Sequence, residues 1–273
     1  MKARILVFTD LDGTLLDHQT YSFDPARPAL RLLRQKGVPL IICASKTRAE
    51  IEAVRSVLNN IDPFIVENGG AIFIPGGYFP QELARSKEDS PYQIIELGTP
   101  YPRLREVFSR IKDHLPGKLK GFGDFSVKDV ARHTGLSLQG AALAKKREYD
   151  EPFLLEDLSI LEKVREIAQA AGLNITQGGR FFHLTGDNDK GKASRMLQAM
   201  YAEVEGCSVR SIGLGDSLND LALLEAVDFP VIVQKPGGHY DPAVRVHNLI
   251  YAPGEGPIGW REAVLKLVER LAS

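Results

Sequence analysis

Val7-Phe8-Thr9-Asp10-Leu11-Asp12-Gly13-Thr14-Leu15-Leu16 carries two carboxylates, one residue apart, from an apolar run onto a glycine turn. Ile5 to Phe8 form the short continuous apolar run of a strand buried on both faces, and Gly13 ends it. Asp10 and Asp12 then stand at the carboxyl end of that strand, where open parallel α/β sheets place their ligands. Side chains at i and i+2 leave a strand on the same face, so both carboxylates reach one small volume. Such a pair suits phosphoryl transfer, with one carboxylate attacking phosphorus and the other handling a proton. Their mutual repulsion calls for a hard divalent cation with oxygen ligands, such as Mg²⁺. An Asp-x-Asp-Gly turn is also ordinary loop chemistry, so the stretch takes its meaning from the motifs further along the chain.

Three such elements stand in order. After the strand Val38 to Cys43, the stretch Ala44-Ser45-Lys46-Thr47 opens a helix whose Ile51, Val54 and Leu58 keep helical spacing. A helix amino terminus with a hydroxyl is a phosphate seat, and Ser45 and Thr47 are equally good plain N-caps. Asp189-Lys190-Gly191-Lys192 precedes a second helix with Met196, Leu197 and Met200 on one side. Finally, Val209 to Asp220 repeats the opening theme: a strand, the glycines 213 and 215, then Asp216, Asn219 and Asp220 at the start of a helix. Leu218 stands where a dinucleotide fingerprint needs its third glycine, and no GxxxxGK[ST] loop occurs.

In this order the four elements resemble the motifs of the haloacid dehalogenase superfamily of phosphohydrolases, and the resemblance spans the whole chain. It implies an α/β fold, a Rossmann-like parallel-sheet core with an inserted α+β cap of the C2 type. It implies Asp10 as the nucleophile that becomes an aspartyl phosphate, and Asp12 as the acid for the leaving group and then the base for water. Ser45, Lys190 and Asn219 would bind the phosphoryl group. Mg²⁺ would be held by Asp10, the backbone carbonyl of Asp12, and Asp216, with Asn219 and Asp220 supporting that shell. The chemistry agrees, because a carboxylate is a weak nucleophile that needs cationic partners to approach a phosphate dianion.

The chain is 273 residues long, enough for one large or two modest domains, and 44% hydrophobic with 25% charged residues. A net charge of −1 gives no electrostatic case for nucleic acid or an anionic membrane. The sequence shows neither a membrane-length apolar stretch nor a signal-peptide pattern, so a cytoplasmic protein is expected. Cys43 and Cys207 lack metal-ligand spacing and read as buried thiols.

Strand and helix alternate from residue 4 to about 74, including a helix from Pro25 to Lys36 closed by Gly37, which predicts a parallel sheet with crossovers. Pro63 to Val66 and Ala71 to Ile74 flank the turn Glu67-Asn68-Gly69-Gly70. The expected catalytic core is 1–80 and 188–273, and the inserted cap 81–187. Within the cap, strands are expected at Tyr92 to Leu97, Phe153 to Leu155, Leu173 to Thr176 and Phe181 to Leu184. One helix carries Leu104, Val107, Phe108, Ile111 and Leu115. Another opens on a Ser159/Glu162 capping box and is closed by Gly172.

Two cap stretches, Lys145 to Phe153 and Gln177 to His183, together with Ser45-Lys46-Thr47-Arg48 and Glu67-Asn68-Gly69-Gly70, resemble mannosyl-3-phosphoglycerate phosphatases within that superfamily. The resemblance implies a small phosphorylated glycoside as substrate, with Mg²⁺-dependent release of phosphate from the mannosyl and, in some members, the glucosyl compound. Arg147, Arg180 and the amides of Gly178 and Gly179 would meet the substrate's carboxylate, and Glu148 and Asp150 its sugar hydroxyls. The same glycines also suit a plain hairpin turn, and His183 is more often a packed histidine than a ligand. Sucrose- and trehalose-phosphate phosphatases, a phosphomannomutase and a noncatalytic sugar-phosphate binder are the competing readings.

Overall fold

Arg4–Thr9 (β1) sends Leu6 and Phe8 into one buried layer and Ile5 and Val7 into the other, the period-two split of a strand covered on both faces. The computed structural model describes residues 3–80, 87–89, 91–178 and 180–272. The other strands are Leu40–Cys43 (β2), Phe64–Val66 (β3), Ala71–Pro75 (β4), Lys87–Asp89 (β5), Tyr92–Glu96 (β6) and Leu119–Gly121 (β7). They continue with Glu151–Leu155 (β8), Asn174–Gly178 (β9), Phe181–Thr185 (β10), Val209–Gly215 (β11), Phe229–Gln234 (β12) and Ile250–Glu255 (β13). The helices are Arg27–Gln35 (α1), Arg48–Leu58 (α2), Tyr101–His114 (α3), Val127–Thr134 (α4) and Leu138–Ala144 (α5). Leu161–Ala170 (α6), Lys190–Glu205 (α7), Leu221–Leu224 (α8) and Pro257–Ala272 (α9) complete them.

Among the described residues, nine strands form one sheet in the order β13-β12-β11-β1-β2-β3-β4-β6-β5. The first six run parallel, and β4, β6 and β5 continue the sheet antiparallel. From β1 the chain winds one way to β2 and β3 and the other way through β11 to β13, so the switch point lies between β1 and β11. α1, α2 and α9 cover one face through Leu30, Leu33, Ile51, Trp260 and Val264. α7 and α8 cover the other through Leu197, Tyr201 and Leu223.

A second, antiparallel sheet has the order β7-β8-β10-β9. Phe153, Phe182 and Leu184 pack its one face against Phe108 of α3 and Val164 of α6. By strand alternation, Pro152, Phe181 and His183 lie on the opposite face, over the carboxyl ends of the large sheet's strands. The α/β core with a second α+β sheet agrees with the expected fold class.

Some elements differ from expectation. The strand at Tyr92–Glu96 forms, yet it pairs with β4 and extends the large sheet. Helix α6 is not opened by a Ser159/Glu162 box: Asp157 accepts from the Ser159 amide and hydroxyl at 2.9 and 2.7 Å and caps a 3₁₀ turn, Leu158–Ile160, ahead of it. The helix expected from Pro25 begins as a 3₁₀ turn, Asp24–Ala26, before α1. Cys43 is buried and its thiol is pushed up to about 12 by that burial, whereas Cys207 is half-exposed; both are free.

Candidate active site

β1 and β11 end side by side at the switch point, and the Asp10 amide donates to the Leu214 carbonyl at 3.0 Å. The Asp10 carbonyl accepts from the Thr9 hydroxyl at 2.7 Å, which in turn accepts from the indole N–H of the fully buried Trp260 at 3.0 Å. The end of β1 is therefore pinned from α9. Lys190, at the first turn of α7 and fully buried, donates to Asp10 Oδ1 at 2.8 Å and to Asp220 Oδ1 at 2.7 Å. Burial alone would lower the Lys190 ammonium, but the two carboxylates hold it well above its ordinary value. Asp220 Oδ2 accepts from the amides of Asp216 and Ser217 at 3.0 and 3.3 Å, which closes the turn after β11.

Asp10, Asp216 and Asp220 each offer a carboxylate oxygen, all within 4.8 Å of one another, and so are positioned to hold a divalent cation. Hard oxygen donors of this kind suit Mg²⁺. Burial, together with Asp220 and Asp216, pushes the Asp10 carboxyl up to about 8 against the pull of Lys190, the charge imbalance that a dication would relieve. Of the three, Asp220 already uses both oxygens, on Lys190 and on the two amides. Gly13 has φ +72°, and a side chain there would begin 3.0 Å from Asp216 Oδ2, so the turn leaves room for this cluster only as glycine.

Asp12 is not part of that cluster. Its side chain is 44% exposed and its Oδ2 lies 2.8 Å from the Lys46 ammonium, itself 3.8 Å from Glu50. A cavity of about 510 Å³ brings together Asp10, Asp12, Ser45, Asp216 and Asn219, with Lys235 and His183 also in its wall. The expectation that both carboxylates of the opening stretch reach one volume is met. Asn219 donates to the Asn68 side chain at 3.2 Å, which joins the turn after β3 to the site. Ser45 lies between β2 and α2; the capping box of α2 belongs to Thr47 and Glu50. A different cavity, of about 320 Å³ and lined by Arg4, Leu33, Arg34 and Asn60, lies at the opposite strand ends and lacks such a carboxylate cluster.

The expected cap residues divide. An adjoining cavity of about 280 Å³ is lined by Asp12, Ser45, Lys46, Arg147, Gly178, Arg180 and His183, among others. Arg147 is buried, donates to the carbonyls of Ser45 and Ala144 at 2.9 and 2.8 Å, and lies 3.6 Å from Asp150. Arg180 is exposed and donates to the His133 carbonyl. The Glu148 carboxylate lies 3.0 Å from Arg48, and Glu148 lines neither cavity. Asp150 is fully buried, with its Oδ2 accepting from His183 Nδ1 at 2.7 Å. Gly179 lies outside the described residues.

Sequence reasoning assigned no role to Lys46, Glu67, His183, Lys235 or Trp260. Lys235, which follows β12, lies 3.3 Å from Asp216 Oδ2 and 3.6 Å from Asp241. Glu67 is fully buried and accepts from the amides of Glu148 and Tyr149, both at 2.9 Å, tying the turn after β3 to the cap. Its non-glycine positive φ of 46° is a backbone signal that no residue pattern announces.

Comparison with known proteins places these features in context. Residues 7–120 match the family of haloacid dehalogenase-like hydrolases. The chain is 52% identical to a glucosyl-3-phosphoglycerate/mannosyl-3-phosphoglycerate phosphatase of Methanococcoides burtonii, over 96% of this chain and 97% of that one. It is 40% identical to a protein of the same description from Persephonella marina, over 98% of each. The sucrose-phosphatase of Synechocystis sp. PCC6803, solved with sucrose and phosphate, superposes with a TM-score of 0.62 over 100% of this chain and 99% of that chain. At 15% identity this last likeness is one of fold.

Proposed function

The chain belongs to the haloacid dehalogenase-like hydrolases, among the glucosyl-3-phosphoglycerate/mannosyl-3-phosphoglycerate phosphatases, and from that premise we propose how its residues perform the reaction. The enzyme hydrolyses 2-O-mannosyl-3-phosphoglycerate, and its glucosyl analogue, to the glycosylglycerate and inorganic phosphate, in Mg²⁺-dependent fashion. The product is a compatible solute. The observation that carries the assignment of roles is the contrast between Asp10, buried against Lys190 beside Asp216 and Asp220, and Asp12, half-exposed against Lys46 in the same cavity.

Asp10 attacks phosphorus in line with the bridging oxygen, and the bond from phosphorus to glycerate C3 oxygen breaks. Asp12 gives that oxygen its proton. Asp12 then takes a proton from water as the water attacks the aspartyl phosphate, which returns Asp10 and releases phosphate. Lys190 holds Asp10 in place and neutralises charge at its oxygen, while Ser45 and Asn219 donate to the phosphoryl oxygens. Asp10 and Asp216, backed by Asp220, would hold Mg²⁺, which supplies positive charge to the nucleophile and the phosphoryl group. The small sheet, within an inserted cap of about 81–187, roofs the site and excludes water, although β6 belongs to the large sheet. We also place the enzyme in the cytoplasm, with free Cys43 in support.

The test is phosphate release from mannosyl-3-phosphoglycerate, glucosyl-3-phosphoglycerate, sucrose 6-phosphate and trehalose 6-phosphate, with and without Mg²⁺. The glycerates are expected to give the higher kcat/KM, and Asp10→Asn to abolish release. A preference for either disaccharide phosphate would reject the substrate and retain the chemistry.

A further inference from the structure

His183 stands where the two cavities meet. Both walls contain it, together with Asp12, Ser45 and Gly178, so the imidazole borders the space next to a phosphoryl group on Asp10. The ring is fixed from behind. Asp150, fully buried, accepts from Nδ1 at 2.7 Å, and Arg147 lies 3.6 Å from the same carboxylate oxygen, compensating its charge. In the neutral ring this partner selects the Nδ1–H tautomer and turns Nε2 into an acceptor. The approach to Nε2 is bare because β9 ends on a glycine: a side chain at Gly178 would begin 3.0 Å from that nitrogen. Around it, the second cavity supplies cations for a carboxylate in Lys46, Arg147 and Arg180, and its carboxylate acceptors Asp12 and Glu50 already face Lys46.

We propose that His183 is a specificity-determining residue: Nε2 accepts a hydrogen bond from a hydroxyl of the hexose, with Asp150 as the residue that positions the ring. This deepens the reading of the site given above and rests on it. The substrate's glycerate has its hydroxyls substituted, so the hydroxyl donors available to Nε2 belong to the sugar. A phosphate ester without a glycoside has nothing to offer there, so His183 favours the glycoside through binding and takes no part in bond breaking.

The experiment compares mannosyl-3-phosphoglycerate with p-nitrophenyl phosphate for the parent, His183→Leu, His183→Gln and Gly178→Ala. The ratio of the two kcat/KM values is expected to fall roughly 10-fold or more in His183→Leu, through a higher KM for the glycoside. His183→Gln, whose side-chain oxygen can accept at a similar reach, recovers most of it. Gly178→Ala, which leaves the imidazole in place and obstructs Nε2, lowers the same ratio and carries the test should the leucine variant fail to fold. Equal losses on both substrates, or an unchanged ratio in both His183→Leu and Gly178→Ala, would overturn the contact while leaving the function intact. A parent that releases no phosphate from the glycoside would overturn the function and the contact with it.

Discussion

Asp10 lies buried against an ammonium, and Asp12, two residues on, is half-exposed against another. The first setting keeps a nucleophile desolvated and fixed; the second lets a carboxyl exchange protons with a leaving group and with water. Asp12→Asn is therefore expected to lower kcat roughly 10²–10⁴-fold on the glycoside, whose alkoxide needs a proton, and far less on p-nitrophenyl phosphate, whose phenolate does not. Steady-state rates on the two esters decide it, and equal losses would remove the acid role. Asp10, pushed up to about 8 by burial and its acidic neighbours, makes a second prediction. A cation binds the deprotonated carboxylate, so Mg²⁺ binding at about pH 6.5 should release a proton, and affinity should rise with pH up to that value. Calorimetric titration in two buffers of different ionisation heat measures the proton, and the same apparent enthalpy in both would refute it. Asp10, Asp12, Lys190 and Asp216 each stand at a strand end or helix start that neighbouring residues announce, but only the order of the four motifs, and the resemblance it carries, made them candidates for one site. Trp260 and Lys235 were not legible in the sequence, since their partners Thr9 and Asp216 are brought to them by the fold and nothing local marks the pairing.

At the scale of elements, continuous apolar runs gave β1 and β2, and helical spacing gave α2, α3 and α7, because burial on two faces or along one stripe leaves its period in the chain. Helices α4 and α5 escaped notice although Ser126 with Asp129, and Ser137, cap them. Their buried stripes are short, chiefly Val130, Ala141 and Ala144, and too brief to establish a period. At α6, Ser159 is drawn to Asp157, so the local signal it seemed to give serves a preceding turn. The turn from β3 to β4 was legible as a reversal, but not its second task. Glu67 there clasps two cap amides, and burial first, with Asp150 next to it, moves its carboxyl from 4.5 to about 8 against the pull of Arg147 and those amides. The folded protein thus holds this proton more tightly than the unfolded chain. The resulting stabilisation is fully present below about pH 4.5 and is lost as pH rises through about 8. Denaturant titrations of the parent and Glu67→Gln across that window should show the parent losing stability relative to the variant, by an amount on the order of a few kcal/mol. A difference that does not change with pH would show that Glu67 titrates alike in both states.

For the whole molecule, two sheets meet across one site, and the joint between them is charged. The end of α5 and the segment after it return from the small-sheet unit to touch the large-sheet unit: Thr47 Oγ1 donates to the Leu143 carbonyl at 3.1 Å, Arg48 pairs with Glu148, and Arg147 reaches the Ser45 carbonyl. A linear reading separates such units by motif order, yet cannot show that residues about a hundred positions apart, Ser45 and Arg147, form one wall. It also assigns β6 by position, when its adjacent Ile94 and Ile95 enter the two layers of the large sheet's core as it pairs with β4. Arg147 is the cation at this joint, with Asp150 at 3.6 Å, Glu50 at 3.9 Å and Glu67 contributing at longer range. Replacing it by methionine keeps much of the volume and leaves fully buried Asp150 without its cation, which should cost about 3–5 kcal/mol. Arg147→Lys restores charge without the planar fork, so it should recover part of that stability while still loosening the hold on the Ser45 carbonyl. Because that carbonyl belongs to the wall that seats the phosphoryl group, both variants should also raise KM for the glycoside. Denaturant melts and KM measured on the same preparations separate the two effects. A loss below about 0.5 kcal/mol in Arg147→Met would mean that the acids around it carry no net charge, and that the joint is held by packing alone.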